Sequence, residues 1–587
     1  MLNKIKSLKN IPLKYLITIV VCFALPFLIL LLYGCNFLIN DDFYMMLIAE
    51  GKYGNDSQYL IFINIVVGYI LKGLYCLVPS FNWYVLLQLV IIIICFWIIT
   101  FLIFKRFSWR YACIIKLIML LCFEFSFYTE IQFNKTSGVA CITGFILIYH
   151  AAKNKKNNIL NYIVGCILLF LGGMYREGVF KQTALFGMSL IIWDMLDVLF
   201  DCKGVGIKRL INKFWSAIVR IRGYILCFFG VSLIIVLLTF VNNRIYLNGK
   251  FKEYKNYRVN ITAITDYHMP EWESNQDEYL KNGITEEEYI FVKNYLFADT
   301  EVFNNDKLKI MADMGNNMEQ SDYFLNDLKQ VICDTFNSYN LKLYYIVVLM
   351  IGLTFVLMSE NKSRIKILVQ MIIFIGCILF YCLIGRTREY IEIVMALAAF
   401  VTILEASYLN EKNDIYMFIL TIFIAITGVK YNYVNYEDMK ALCNENSYFS
   451  EMYSYMKKND ENFYLLSTNS STYEYCAFSL DWNCKSEYSE NRYRLGDWMV
   501  KTPFSEEVLK QYDIDNPIKS LIDKDNVYLV CDDYVSGYNG NMRDAFRNYF
   551  EKEYGIDTKC EVVIEIGNLK VIKFMPVNGR NSHYNGE

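Results

Sequence analysis

The chain has 587 residues, 55% of them hydrophobic, and a mean hydropathy of +0.27. It contains far too many apolar runs of about 20 residues for a water-soluble protein. A net charge of −2 provides no basic surface for nucleic acid. Three His and 18 Cys without zinc-type spacing argue against a His- or Cys-based metal centre.

The N-terminal 14 residues are basic (Lys4, Lys6, Lys9, Lys14) and precede an apolar run at 15–34 with no small-residue cleavage site. They read as a cytoplasmic N-terminus followed by an uncleaved first span. Further spans are expected at 84–104, 111–129, 134–150, 159–176, 180–199, 223–242, 343–358, 365–385, 390–409 and 416–430. The run Tyr59–Pro79 carries a polar stripe, Asn64, Gly68 and Lys72, on one helical face. It is read as a juxtamembrane or re-entrant helix. With it excluded, the basic connections 105–110, 153–156, 203–222 and 362–366 all face the cytoplasm, as positive charge between spans should.

Eleven spans divide the chain into a transmembrane core 1–242 with a first outer loop 35–83, an outer helical loop 243–342, transmembrane helices 343–430, and an outer soluble α/β domain 431–587. In the loop, 286–297 and 301–314 have helical patterns, and Asp266-Tyr267-His268-Met269-Pro270 reads as a turn. In the tail, 463–467 and 527–531 read as buried strands, 541–553 as a helix, and 560–566 with 569–574 as a hairpin around Gly567-Asn568. Cys476 and Cys484 are candidates for a disulfide or two free thiols.

The eleven-span topology gathers unusual charges on the outer side. Asn40-Asp41-Asp42 follows the first span. Carboxylates there need water, a cation, a basic partner or a substrate hydroxyl. Successive helical side chains are about 100° apart, so the two Asp need not share a role, and either could cap the following helix. Arg176, Arg386 and Arg388 stand on the same side, against the usual charge bias, and suit a phosphate or diphosphate. Glu130 and Glu177 are expected to support these arginines. Tyr44, Trp83 and Tyr128 are candidate stacking surfaces for a sugar. Lys116, Glu124 and Asp194 fall within spans.

An acidic Asn40-Asp41-Asp42 after the first span, Gly-x-Tyr-Gly at 51–54, the segment Pro79 to Tyr84, and Gly385-Arg386-x-x-Glu389 together resemble the GT-C superfamily of integral-membrane glycosyltransferases, in particular its bacterial members. The resemblance implies transfer of a sugar from a polyprenyl-phosphate donor to a glycan or glycolipid acceptor at the outer face of the cell membrane. It places the catalytic base on Asp41 or Asp42; Asp42 is taken as the deeper of the two and Asp41 as support or a metal contact. It gives the leaving phosphate to Arg176, Arg386 and Arg388. Members differ in their use of a divalent cation, Mg or Mn, and Asp41 or Asp42 would be its ligand here. Two other readings fit the composition: a polymerase or ligase acting on polyprenyl-diphosphate glycans, and a transporter or flippase.

Overall fold

A computed structural model describes residues 13–53, 57–153, 158–200, 207–266, 269–316, 320–337, 341–408, 414–445, 447–467 and 490–577. Tyr267 and His268 of the expected turn, Gly54 of the Gly-x-Tyr-Gly motif, and Cys476 and Cys484 lie outside these residues.

The chain folds as a polytopic helical bundle carrying a smaller α/β unit at one end. Helix α1 (Leu13–Tyr33), the short strand β1 (Asn36–Phe37) and helices α2 (Asn40–Glu50), α3 (Ile65–Leu77) and α4 (Trp83–Arg106) open it. α3 has 13 residues, about 20 Å at 1.5 Å each, short of the ~30 Å hydrocarbon layer. It is the element read from sequence as juxtamembrane. α5 (Trp109–Thr129) contains a π turn at Leu120–Glu124. After β2 (Glu130–Ile131) come α6 (Phe133–Lys153), α7 (Ile159–Tyr175), α8 (Glu177–Phe200) and α9 (Ile207–Tyr246). Among the described residues, six helices are long and apolar enough to cross a membrane, including α4, α5 and Asn361–Leu383. α6 is less apolar because it is central: Asn134, Thr136, Ser137 and Thr143 are all buried against other helices rather than lipid. Gly172 of α7 lets the two backbones meet, since a Cβ there would sit 2.8 Å from the Ser137 carbonyl.

The charges within spans are paired. Lys116 forms an ion pair with Glu124, which also accepts from Tyr128 Oη at 3.2 Å. Asp194 accepts from Tyr149 Oη at 2.9 Å and faces Lys153 at 3.3 Å. Such pairing is what a charge in the bundle interior needs.

The long connection forms α10 (Phe251–Asp266), α11 (Trp272–Lys281), α12 (Glu286–Lys293), α13 (Asn305–Asn316) and α14 (Gln320–Phe336). α15 (Leu343–Met358), α16 (Asn361–Leu383), α17 (Glu389–Ala406) and α18 (Asp414–Glu445) return to the bundle. α18 runs unbroken past 430, where the sequence turns polar but keeps helix formers, so the apolar layer ends before the helix does. The tail adds α19 (Tyr448–Lys458), β3 (Phe463–Leu466), β4 (Arg492–Arg494), α20 (Pro503–Gln511), α21 (Pro517–Asp523), β5 (Val527–Cys531), α22 (Met542–Tyr554), β6 (Thr558–Ile566) and β7 (Leu569–Pro576). The sheet order is β4-β3-β5-β7-β6, with β3 parallel to both β4 and β5 and the β6–β7 hairpin antiparallel. Gly567 turns that hairpin at φ 59°.

Sequence boundaries separate the long connection from the tail, but the two share one hydrophobic core. Phe291 stacks on Tyr549 at 3.7 Å, and Phe297, Met311, Leu529 and Phe546 join the same cluster. A buried carboxylate locks the seam. Asp299 accepts from Tyr549 Oη (3.0 Å), Tyr554 Oη (2.6 Å), Asn516 Nδ2 (2.9 Å) and the backbone N–H of Glu301 and Val302. Removing it would leave several buried donors unpaired. We expect Asp299→Ala to cost about 3 kcal/mol or more and to expose this unit to protease in the intact protein. A cleavage pattern identical to wild type would contradict the seam's importance.

Candidate active site

Asp41 and Asp42 both lie in the first turn of α2, where the helix dipole favours carboxylates. Neither is the cap: that position is Ile39, which makes no side-chain capping bond. The two side chains diverge. Asp42 is fully buried, and its Oδ1 accepts from Tyr84 Oη (2.7 Å), Gln88 Nε2 (3.3 Å) and the Phe133 N–H (3.2 Å). It therefore ties α2 to the starts of α4 and α6. Burial, partly offset by the Tyr84 and Gln88 hydrogen bonds, pushes its carboxyl up to about 8.

Asp41 lines a cavity of about 500 Å³. Burial and the Asp497 carboxylate push Asp41 up to about 6, while Arg258, Trp498 and Arg176 pull the other way. Arg176 stands between α7 and α8, Arg258 on α10, and Arg386 between α16 and α17; all three line this cavity. Phe62 organises two of them. Its carbonyl accepts from Arg176 Nη1 at 3.2 Å, and its ring centre lies 4.3 Å from the Arg258 guanidinium and 5.8 Å from that of Arg176. Cation–π contact offsets part of the repulsion between the two cations. The tail closes the cavity with Asp497 and Trp498. Asp497 is held by Arg494 at 2.7 Å, and Tyr254 Oη donates to the Trp498 carbonyl at 2.9 Å. Phe380, Ile384 and Ile391 form an apolar wall at the ends of α16 and α17.

Several sequence expectations are corrected by these positions. Arg388 is exposed and does not line the cavity. Glu130 pairs with Lys135 at 2.8 Å and Glu177 with Lys181 at 2.6 Å, so the nearest cations for both are lysines four or five residues on, not the arginines. Tyr44 and Tyr128 are each 1% exposed and packed into the core, while the Trp83 indole donates to the Val78 carbonyl. Asp41 lines the cavity and Asp42 does not. Sequence reading missed Arg258, Asp497 and Trp498. For Arg258 a signal existed: Tyr254, Tyr257, Arg258, Ile261 and Thr265 follow helical spacing and all line the cavity. For Asp497 and Trp498 there was none.

A helical membrane bundle with a charged cavity roofed by a soluble unit is thus the class of molecule these features define. Neither a protein-family profile nor a curated protein matches the chain. Among solved structures it is similar to ArnT from Cupriavidus metallidurans, determined with bound undecaprenyl phosphate, at 9% identity over 95% of this chain and 97% of that one, with a TM-score of 0.38. A likeness of that size carries no argument about function.

Proposed function

We propose that the chain is a membrane glycosyltransferase of the GT-C type, moving a sugar from a polyprenyl-phosphate donor to an acceptor hydroxyl at the outer face of the cell membrane. The observation that carries the reading is a carboxylate, Asp41, in the same cavity as three guanidinium groups, two of which, Arg176 and Arg386, stand at the ends of membrane helices. An isoprenoid chain fits the wall formed by Phe380, Ile384 and Ile391, and the phosphate meets Arg176, Arg258 and Arg386. As the acceptor oxygen bonds to the anomeric carbon, the bond from that carbon to the phosphate oxygen breaks. Its electron pair leaves with the phosphate, whose growing charge the guanidinium groups stabilise. Asp41 takes the hydroxyl proton. This assigns the base to Asp41 rather than to Asp42, whose carboxylate is already committed to holding α2.

The test is direct. Full-length protein in lipid nanodiscs, given polyprenyl-phosphate hexoses and pentoses or polyprenyl-diphosphate glycans together with the glycan and glycolipid extract of the source cells as acceptor, should release polyprenyl monophosphate detectable by mass spectrometry. Release from none of them would overturn the reading; release only from diphosphate-linked glycans would favour a polymerase or ligase.

A pH dependence follows from the same geometry. The base works only when ionised, and burial has raised Asp41 to about 6. Transfer should be flat above that value and fall about tenfold per pH unit below it. A profile still flat at pH 5 would remove Asp41 from the role of base.

A further inference from the structure

We propose that a second cavity, on the other side of Tyr254 and Tyr257, holds the acceptor, and that the acceptor is a neutral or zwitterionic glycan. The inference rests on the transferase reading above. This cavity measures about 710 Å³ and lies between α10 and α20. The two tyrosines line both cavities, so the cavities adjoin there and an acceptor held in the second reaches past them toward Asp41. They are fixed in place: Tyr254 is tied to the Trp498 carbonyl, and the Lys501 ammonium lies 4.7 Å from the Tyr257 ring centre.

The two linings differ in kind. The Asp41 cavity has an aliphatic and aromatic wall at the helix ends, which suits a lipid-linked donor. Around the second cavity the only aliphatic ring is Pro503; the rest is tyrosine, Asn305, three lysines and three glutamates, including Lys501, Glu506 and Glu507. Such a surface offers aromatic faces and many hydrogen-bonding groups to a sugar, and nowhere to bury a hydrocarbon chain. Equal numbers of lysine and glutamate give no net attraction for a polyanion or a polycation.

One tail segment serves both cavities. Asp497 and Trp498 wall the first, and Lys501 and Glu506 the second. Within it two residues that are not glycine adopt left-handed backbone, Asp497 at φ 69° and Lys501 at φ 60°. Each such residue costs about 1–3 kcal/mol and persists where the surroundings enforce it, often at ligand clamps. The segment is therefore shaped to present side chains to two compartments at once.

The experiment uses the full chain in nanodiscs with labelled polyprenyl-phosphate sugar. The acceptor probe is the water-soluble glycan of the source cells, split by ion exchange into an unretained neutral-and-zwitterionic fraction and a retained anionic fraction. The unretained fraction should take the label. Glu507→Trp and Asn305→Trp, both at exposed positions, should raise the KM for that fraction about tenfold or more while lowering kcat less than about threefold. The pair guards against either one failing to fold. Labelling confined to the anionic fraction, or an unchanged KM in both variants, would overturn the proposal. A wild-type protein that releases no polyprenyl phosphate sinks the transferase reading itself and this site with it, which separates the two failures.

Discussion

Replacing Asp41 with Asn is expected to lower sugar transfer by about 10²–10⁴-fold, the usual range for loss of a general base, with the protein still folded. The side chain is partly exposed to the cavity and not one of the carboxylates that join helices. Asparagine keeps its volume and removes only the ability to take a proton. Donor binding should weaken little, since Arg176, Arg258 and Arg386 are untouched, so the loss should fall on kcat rather than on KM for the donor. Transfer within tenfold of wild type would exclude Asp41 as the base. A fall equal to that of Asp42→Asn would show that the two side chains act through one structural effect.

The second large effect belongs to Asp42 and is one of stability. Asp42→Ala strands the Tyr84 hydroxyl, the Gln88 amide and the Phe133 N–H in a buried site. Each such group costs about 1–3 kcal/mol, so we expect little folded protein, read as the monodisperse fraction in size-exclusion chromatography. Asp42→Asn retains an acceptor oxygen and should be far milder. The pH dependence separates the two further. Asp42 is pushed up from 3.8 to about 8, so between these values the folded protein holds a proton that the unfolded chain has released. Stability from this group is therefore greatest at low pH and is lost as the pH rises through that window. Asp42→Asn should flatten that part of the stability curve. An identical slope in wild type and Asp42→Asn would refute the assignment.

Much of the bundle was legible because lipid imposes a coarse rule: long apolar runs become helices, and the Lys/Arg pattern marks which runs are too short or too polar to be ordinary spans. The ambiguous run at 59–79 was read as juxtamembrane or re-entrant from the Lys/Arg pattern together with its polar stripe, and the helix within it has 13 residues. Half of the site was legible as well. Charges at helix ends are costly, which made Asp41, Arg176 and Arg386 conspicuous. The division of labour between Asp41 and Asp42 was not, because it depends on which neighbour reaches which face, and Tyr84, Gln88 and Phe133 are distant in sequence. Arg388 shows the opposite failure: two residues from Arg386 in the same short connection, it points away from the cavity. Asp497 and Trp498 lie in a polar segment where charge and aromatic residues are ordinary, so nothing local distinguished them.

The shared core of the long connection and the tail has a consequence for biosynthesis. Phe291 finds its partners Tyr549 and Phe546 only after α15 to α18 have been made. Until then the connection presents an unpaired apolar face, a species prone to wrong association. Trp498 arrives with the same late segment, so the cavity around Asp41 has no roof on a nascent chain. On the proposed reading, the order of synthesis withholds a complete site until the segment around Trp498 has emerged. Ribosome-released chains ending before residue 490 should insert in the membrane yet show no transfer at all.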